Sequence, residues 1–323
     1  MKNGSDRSGV SETGLSEFTW FLARVPARFL AEKKGRKLRI LILGAGSLSS
    51  LARVRPYAEK TTLVEIDPLV VESARRYWSE VNLGAGDHPN EEIVIDDARH
   101  YLMTHEEQYD LIIMDISAPY YLGTMLLHNR DFFRLVRQRL KSDGLFSEST
   151  QSRPRPWAHD ATSMRILRSV DAVFPYWNLI ATGGGARGNH RYVYAGKRDM
   201  TSTRTLIRYL EEEGYREGSE VYSHESREFA LQNVEPFTLK NMNALLASNY
   251  YRTADLLGLE DPRNSDLGDA LREMLARMRP HFDSWRLLLA LLLASSLAGW
   301  IVRRRAGEEK SGGSLSTATG YTS

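Results

Sequence analysis

From Leu38 to about residue 214 the chain alternates short apolar runs with amphipathic helical stretches, joined by brief connections. Strands that are apolar throughout must be covered on both faces, so alternation of this kind demands a mostly parallel sheet wrapped by helices. Strands are expected near 38–43, 61–66, 92–95, 109–115, 143–149, 177–182 and 190–196. Helices are expected near 48–58, 68–79, 98–105, 129–140, 158–173 and 202–213. The last two strands follow one another through GGGARGN without a helix between them, which predicts an antiparallel hairpin at one edge of the sheet.

The fold class is α/β, and seven strands ending in such a hairpin are what a class I methyltransferase-like Rossmann sheet requires. The flanks read differently. Residues 1–36 are a polar start followed by FTWFLARVPARFL, an amphipathic helix interrupted at Pro26, and the basic EKKGRK leads into the first strand. Met1 to Ser16 lacks an apolar core of the signal-peptide kind, so a secretory signal is not expected and the catalytic body is expected in the cytoplasm. Beyond 214 the rhythm fades, and 215–284 reads as a helical or irregular extension.

Leu287 to Val302 is uncharged and apolar on every face, bracketed by Trp285 and Trp300 and followed by Arg303, Arg304 and Arg305. Aromatic and arginine flanks suit a bilayer interface, so 285–305 is expected to be a membrane helix, although the run falls short of the ~20 apolar residues of a full span. A buried helix or an oligomer contact is the alternative, and a homodimer is an expected association. Residues 306–323 are small and polar and read as a disordered tail.

The net charge is +2, from 43 basic and 41 acidic residues, which gives no bulk electrostatic case for nucleic acid. Cysteine is absent, which excludes disulfides, thiolate metal sites and cysteine nucleophiles. His128, His159 and His190 lack metal-ligand spacing, so no metal site is expected and they read as surface or hydrogen-bonding groups.

The chemistry gathers at strand ends. LRILIL breaks at Gly44-Ala45-Gly46-Ser47 and gives way to a helical pattern, so backbone amides face outward at a place suited to an adenosine-type ligand. A lone glycine turn is weak evidence, and this one lacks the third glycine of the dinucleotide fingerprint, which ranks an NAD-dependent dehydrogenase last. The turn has company. The second strand, TTLVEID, ends in Glu65 and Asp67 about 20 residues on, where a carboxylate chelates a ribose diol.

The third strand ends in Asp96 and Asp97, one expected to meet the adenine edge and the other to cap the following helix; Asp97 is assigned to adenine and Asp96 to the cap. Asp115 closes the fourth apolar run at the rim where ligands bind in open α/β sheets. It reads either as a carboxylate that orients an amine and takes its proton, or as the start of a turn with Ser117 and Pro119.

The run GAG, VEID, DDARHYL, YDLIIMDISAP and LLHNRDFFRLVRQRLKSDGLFSEST, followed by WAHDATSMRILRSVDAVFPYWN, resembles the spermidine synthase family of polyamine aminopropyltransferases over about residues 38–198. The resemblance makes 37–214 a methyltransferase-like Rossmann domain. It implies transfer of an aminopropyl group from decarboxylated S-adenosylmethionine to an amine, in polyamine biosynthesis, with no tightly bound cofactor. By that likeness Gly44, Gly46 and Ser47 cradle the donor, Glu65 holds the ribose, Asp97 the adenine, and Asp115 is the base.

Two positions depart from the family. Ser47 stands where its turn carries the aspartate that anchors the aminopropyl ammonium, and Ala118 stands where its second acceptor-side aspartate lies. Ser47 leaves methyl transfer from S-adenosylmethionine as an alternative reading, and Ala118 leaves a catalytically idle, membrane-tethered nucleoside-binding domain as another. Membrane-fused bacterial members of the family show similarly altered turns.

Overall fold

The computed structural model describes residues 17–80, 82–117, 119, 122–150, 162–181, 191–199, 203–212, 220–226 and 231–241. The chain divides into two compact units, 1–253 and 254–323, and every described residue lies in the first. The apolar run at 285–305, the tail, Ala118, His159 and His190 lie outside the described residues. Among the described residues no helix is long and apolar enough to cross a membrane.

The sheet strands are β1 Leu38–Gly44, β2 Ala58–Glu65, β3 Glu91–Ile95, β4 Tyr109–Asp115, β5 Leu140–Ser149, β6 Tyr176–Ala181, β7 Arg191–Gly196 and β8 Glu220–Ser223. They run in the order β3-β2-β1-β4-β5-β7-β6-β8. The first five pair parallel with one another, and β7 enters antiparallel between β5 and β6. The helices are α1 Glu17–Thr19, α2 Val25–Lys34, α3 Ser49–Val54, α4 Pro68–Tyr77, α5 Ala98–Thr104, α6 Leu122–Met125, α7 Arg130–Arg139, α8 Thr162–Asp171 and α9 Thr203–Glu212.

Alternation along β1 and β4 builds the two halves of the core. Leu41, Leu43, Ile112 and Met114 join Phe132, Phe133 and Phe146 on one face. Ile40, Ile42, Leu111 and Ile113 join Phe21, Leu30 and Leu51 on the other. Both central strands are thereby buried on both sides, as their unbroken apolar runs require.

Three expectations are corrected. The sheet has eight strands among the described residues rather than seven, because β8 pairs antiparallel with β6, so the hairpin does not form the sheet edge. In β8, Val221 packs on one core and Tyr222 on the other. A strand of that length between glutamates carries too little periodicity to register in the sequence. The 215–284 region is therefore partly integral to the sheet domain. Farther along it, Phe237 is buried, its N–H donates to Ser169 Oγ at 2.9 Å, and the Arg165 guanidinium lies 4.1 Å from its ring centroid.

The N-terminal segment is not separate either. Phe21, Leu22 and Leu30 are fully buried against the sheet. The interruption expected at Pro26 takes the form of a π-helical turn, Trp20–Arg24, through which helical structure runs from α1 into α2. The reason is hydrogen-bond supply. Pro26 has no N–H to offer the Leu22 carbonyl, and the Val25 N–H bonds to Trp20 instead of Phe21. The two released carbonyls are taken sideways: Leu22 O accepts from Ser147 Oγ at 2.6 Å, and Phe21 O from the Tyr194 hydroxyl.

At the opposite end of the sheet from the strand tips, the basic EKKGRK stretch closes on buried Asp110. Lys34 Nζ lies 2.9 Å and Arg36 Nη2 2.7 Å from Oδ1, while the Arg39 N–H lies 2.9 Å and Lys141 Nζ 3.0 Å from Oδ2. Burial alone would raise this carboxyl's pKa. Bonds from Arg36, the Arg39 backbone, Lys34 and Lys141 override it and hold the group well below the usual carboxylate range.

A depressed carboxylate contributes stability above its unfolded pKa and loses it as pH falls through the folded one, so the cluster supports folding at neutral pH and fails only in strong acid. Asp110→Ala, which removes the buried carboxylate these cations share and leaves Lys34 only its pair with Asp143, is expected to cost ~3–5 kcal/mol in urea denaturation at pH 7. Denaturation at the acid end should be correspondingly less steep in the variant.

Candidate active site

The turn after β1 is shaped by a close approach. Gly44 has φ +86°, and a Cβ there would sit 2.4 Å from the Asp115 carbonyl oxygen. That same oxygen accepts the Ala45 N–H at 2.9 Å. Two residues that carry side chains also take left-handed backbone, Ala45 at φ 69° and Leu48 at φ 61°. Such positions are uncommon outside glycine and concentrate where a chain holds a ligand.

The tips of β1 and β4 thus meet. Asp115 is fixed there by buried Ser50 of α3, whose Oγ donates to Oδ2 at 2.5 Å. Ser50 is a residue the sequence reading passed over, because a serine on the first turn of a helix carries no signal of its target. Ser47 engages Ser49 through a hydroxyl pair at 3.0 Å, and its carbonyl accepts from Asn82 Nδ2 at 3.3 Å.

Glu65 closes on the turn from the β2 side. Its Oε1 accepts the N–H groups of Ile66 at 2.9 Å and Asp67 at 3.1 Å, while Oε2 lies 3.5 Å from where a Cβ on Gly46 would be. Burial pushes its pKa up, against the pull of the two backbone donors. Asp67 has a different task, since its Oδ1 caps α4 through the Leu69 N–H at 2.9 Å.

At β3 the cap falls to the other aspartate than expected. Asp97, not Asp96, caps α5, its Oδ1 accepting from Arg99 N and His100 N at 2.9 Å each. Asp96 instead accepts the Asp97 N–H at 2.8 Å and pairs with His100 Nδ1, which holds its carboxyl below the ordinary range. The physical reason is backbone geometry. Asp97 is the last extended residue before the helix, where a side chain reaches the second and third helical N–H groups, and Asp96 lies one residue too early. Both capping bonds fall on Oδ1 of Asp97.

Ile66, between Glu65 and Asp67, is 66% exposed at the rim. An apolar residue flanked by two acids at a strand end is a signal that the sequence offered and that went unread. Gly44, Gly46, Glu65 and Asp115 are therefore brought together, Asp67 and Asp97 stand as caps on the adjoining helices, and Ser47 lies within the turn. A cleft of about 570 Å³ beside α4 and β3, lined among others by Arg75, Arg76, Glu91 and Ile95, includes none of the predicted site residues.

A parallel sheet continued by antiparallel β7, with a glycine turn after β1 and acids at the tips of β2, β3 and β4, defines a methyltransferase-like Rossmann protein. The spermine/spermidine synthase domain matches residues 22–184, and the chain belongs to that family. The polyamine aminopropyltransferase of Desulforudis audaxviator is 36% identical over 155 residues, covering 46% of this chain and 54% of the relative. The Thermotoga maritima enzyme of the same name is 32% identical over 167 residues, 50% of this chain and 54% of its own.

The chain spans about half the length of the curated relatives it matches. A crystal structure of spermidine synthase with the transition-state analogue AdoDATO is similar at TM-score 0.51 and 25% identity, covering 73% of this chain and 74% of that one. A probable spermidine synthase from Corynebacterium glutamicum shares the fold at TM-score 0.55 and 19% identity, over 71% and 83% of the two chains.

Gly44→Ala is expected to lower stability by more than the ~1–3 kcal/mol of left-handed backbone strain, because the added methyl meets the Asp115 carbonyl. Gly35→Ala, at φ +61° with nothing within 4 Å of the new Cβ, should show the strain alone. Comparing the two in chemical denaturation isolates the contact between the strand tips.

Proposed function

We propose that this chain is an aminopropyltransferase, moving the aminopropyl group of decarboxylated S-adenosylmethionine to an amine acceptor in polyamine biosynthesis. The observation that carries the reading is the convergence of Glu65 Oε2 on Gly46 with Asp115 held at the neighbouring strand tip. Glu65 accepts the ribose hydroxyls, the adenine lies on Ile66 with Asp97 at its edge, and the glycine turn runs beneath the sulfonium.

Chemistry then needs little more than placement. The acceptor nitrogen forms a bond to the carbon beside the sulfonium while the C–S bond breaks and methylthioadenosine leaves with the electron pair. Asp115 takes the proton the amine gives up, and Ser50 keeps the carboxylate aimed. Family membership and the names of the relatives support this reading. Methyl transfer from S-adenosylmethionine is the second reading, favoured by one observation: Ser47 and Ser49 present neutral hydroxyls, where an anchored ammonium calls for a carboxylate.

Isothermal titration of the full chain with methylthioadenosine, S-adenosylmethionine and its decarboxylated form separates these readings. Preference for the decarboxylated donor, weakened in Asp97→Ala and Glu65→Gln, is the expected result; preference for the carboxylated one sustains methyl transfer. Failure of all three points to an idle domain. In assays of methylthioadenosine release, Asp115→Asn is expected to slow turnover by ~10²–10⁴-fold, and unchanged turnover removes it from the mechanism.

The catalytic unit is further proposed to work at the cytoplasmic side of a membrane, held by 285–305, and to associate as a homodimer. Full-length protein should pellet with membranes in high salt, and a chain ending at residue 284 should stay in the supernatant. Equal partition of the two removes the anchor.

A further inference from the structure

One residue short of the tip of β5, Glu148 is 1% exposed, and His128, in the turn between α6 and α7, is also 1% exposed. Neither carboxyl oxygen of Glu148 has a hydrogen-bond partner among the described residues. His128 Nδ1 lies 2.8 Å from the carbonyl oxygen of Thr124. A carbonyl can only accept, so Nδ1 carries the hydrogen and Nε2 of the neutral ring is a bare acceptor. That Nε2 faces Glu148 Oε1 at 3.9 Å, beyond hydrogen-bond reach.

When Glu148 is ionised, three acceptor atoms therefore meet in a buried place that no donor among the described residues reaches. Burial drives both groups toward neutrality, holding Glu148 well above the ordinary carboxyl range and His128 down to about 4. An orphaned carboxyl in a core costs stability, which is why such groups point to a bound partner or to chemistry. What fills this one must bring donors, and a positive charge if the carboxyl ionises.

Its place in the fold narrows the class. Ser147 pairs with Ile113, so Glu148 stands beside the last residues of β4, whose tip carries Asp115. His128 hangs from α6, the helix after the β4 loop. Glu65 and Asp97 lie on the other side of β1, so the pair stands on the β4–β5 side of the sheet, on the face of Phe146, while Asp115 turns to the opposite face toward Ser50. A primary ammonium, with three N–H donors and a unit charge, can donate from one side to two acceptors at this spacing.

We infer that Glu148 and His128 form a buried subsite for a primary ammonium group of the acceptor, with Glu148 supplying the acceptor-side charge that Ala118 does not. The assignment of that ammonium to an acceptor rests on the aminopropyl-transfer reading, whereas binding of the ammonium itself does not.

The test titrates the full chain with putrescine, with butylamine as a one-ammonium control, and with methylthioadenosine as the donor-side probe. The wild type is expected to bind putrescine more tightly than butylamine. Glu148→Gln should weaken putrescine at least tenfold and erase the difference between the amines, with methylthioadenosine affinity unchanged. His128→Phe, which keeps the charge and removes one acceptor, should weaken putrescine several-fold, and it decides the matter if Glu148→Gln does not fold.

Equal affinity for the two amines in the wild type, or putrescine affinity untouched by either substitution, overturns the subsite. Loss of methylthioadenosine binding by the wild type overturns the transferase reading instead, and the amine titrations still give their own answer.

Discussion

Everything at the rim depends on how closely β1 and β4 can approach. Gly44 lets the backbone of one strand tip lie against the carbonyl of the other, and the Ala45 N–H then seals the contact. From that point outward each acid finds its position by strand order alone. Asp115 stands on one side of the turn and Glu65 on the other, because β4 and β2 are the two neighbours of β1. The site is a consequence of sheet topology before it is a consequence of any single side chain.

Charge is managed differently at the two ends of the sheet. At the far end, Asp110 is buried but surrounded by donors, so its ionised form is the stable one. Toward the strand tips, half-buried Glu65 has two backbone donors and buried Glu148 has none among the described residues, and burial pushes the pKa of both up. Carboxyls of the second kind are unsatisfied in isolation and lose less by meeting a cation or a hydroxyl than solvated ones do. One end is built to hold together, the other to receive.

The sheet was legible because its strands are written redundantly. LRILIL and LIIM bury both faces, and no helix of ordinary amphipathicity reads that way. The turn and the acids at the β2, β3 and β4 tips were legible through their spacing. What escaped had weaker or more ambiguous spelling. Val221 and Tyr222 face two different cores, so neither strand nor helix periodicity emerges from so short a segment. Asp96 and Asp97 are chemically identical, and only backbone geometry at the helix start tells which one caps. Glu148 reads as one of several polar residues in LKSDGLFSES, and its burial beside His128 depends on a contact made across 20 positions of chain.

The π turn before Pro26 has a bearing on where this domain begins as an independently folding body. Its two sideways carbonyls are the hydrogen-bond acceptors for Ser147 and Tyr194, hydroxyls that belong to the middle of the sheet. A fragment trimmed to the first strand would keep every catalytic candidate, yet it would strand those two hydroxyls in an apolar interior and uncover the surface on which Phe21 and Leu30 rest. The opening helix is thus a keystone fitted from one side, and the smallest autonomous version of this domain starts ahead of Phe18.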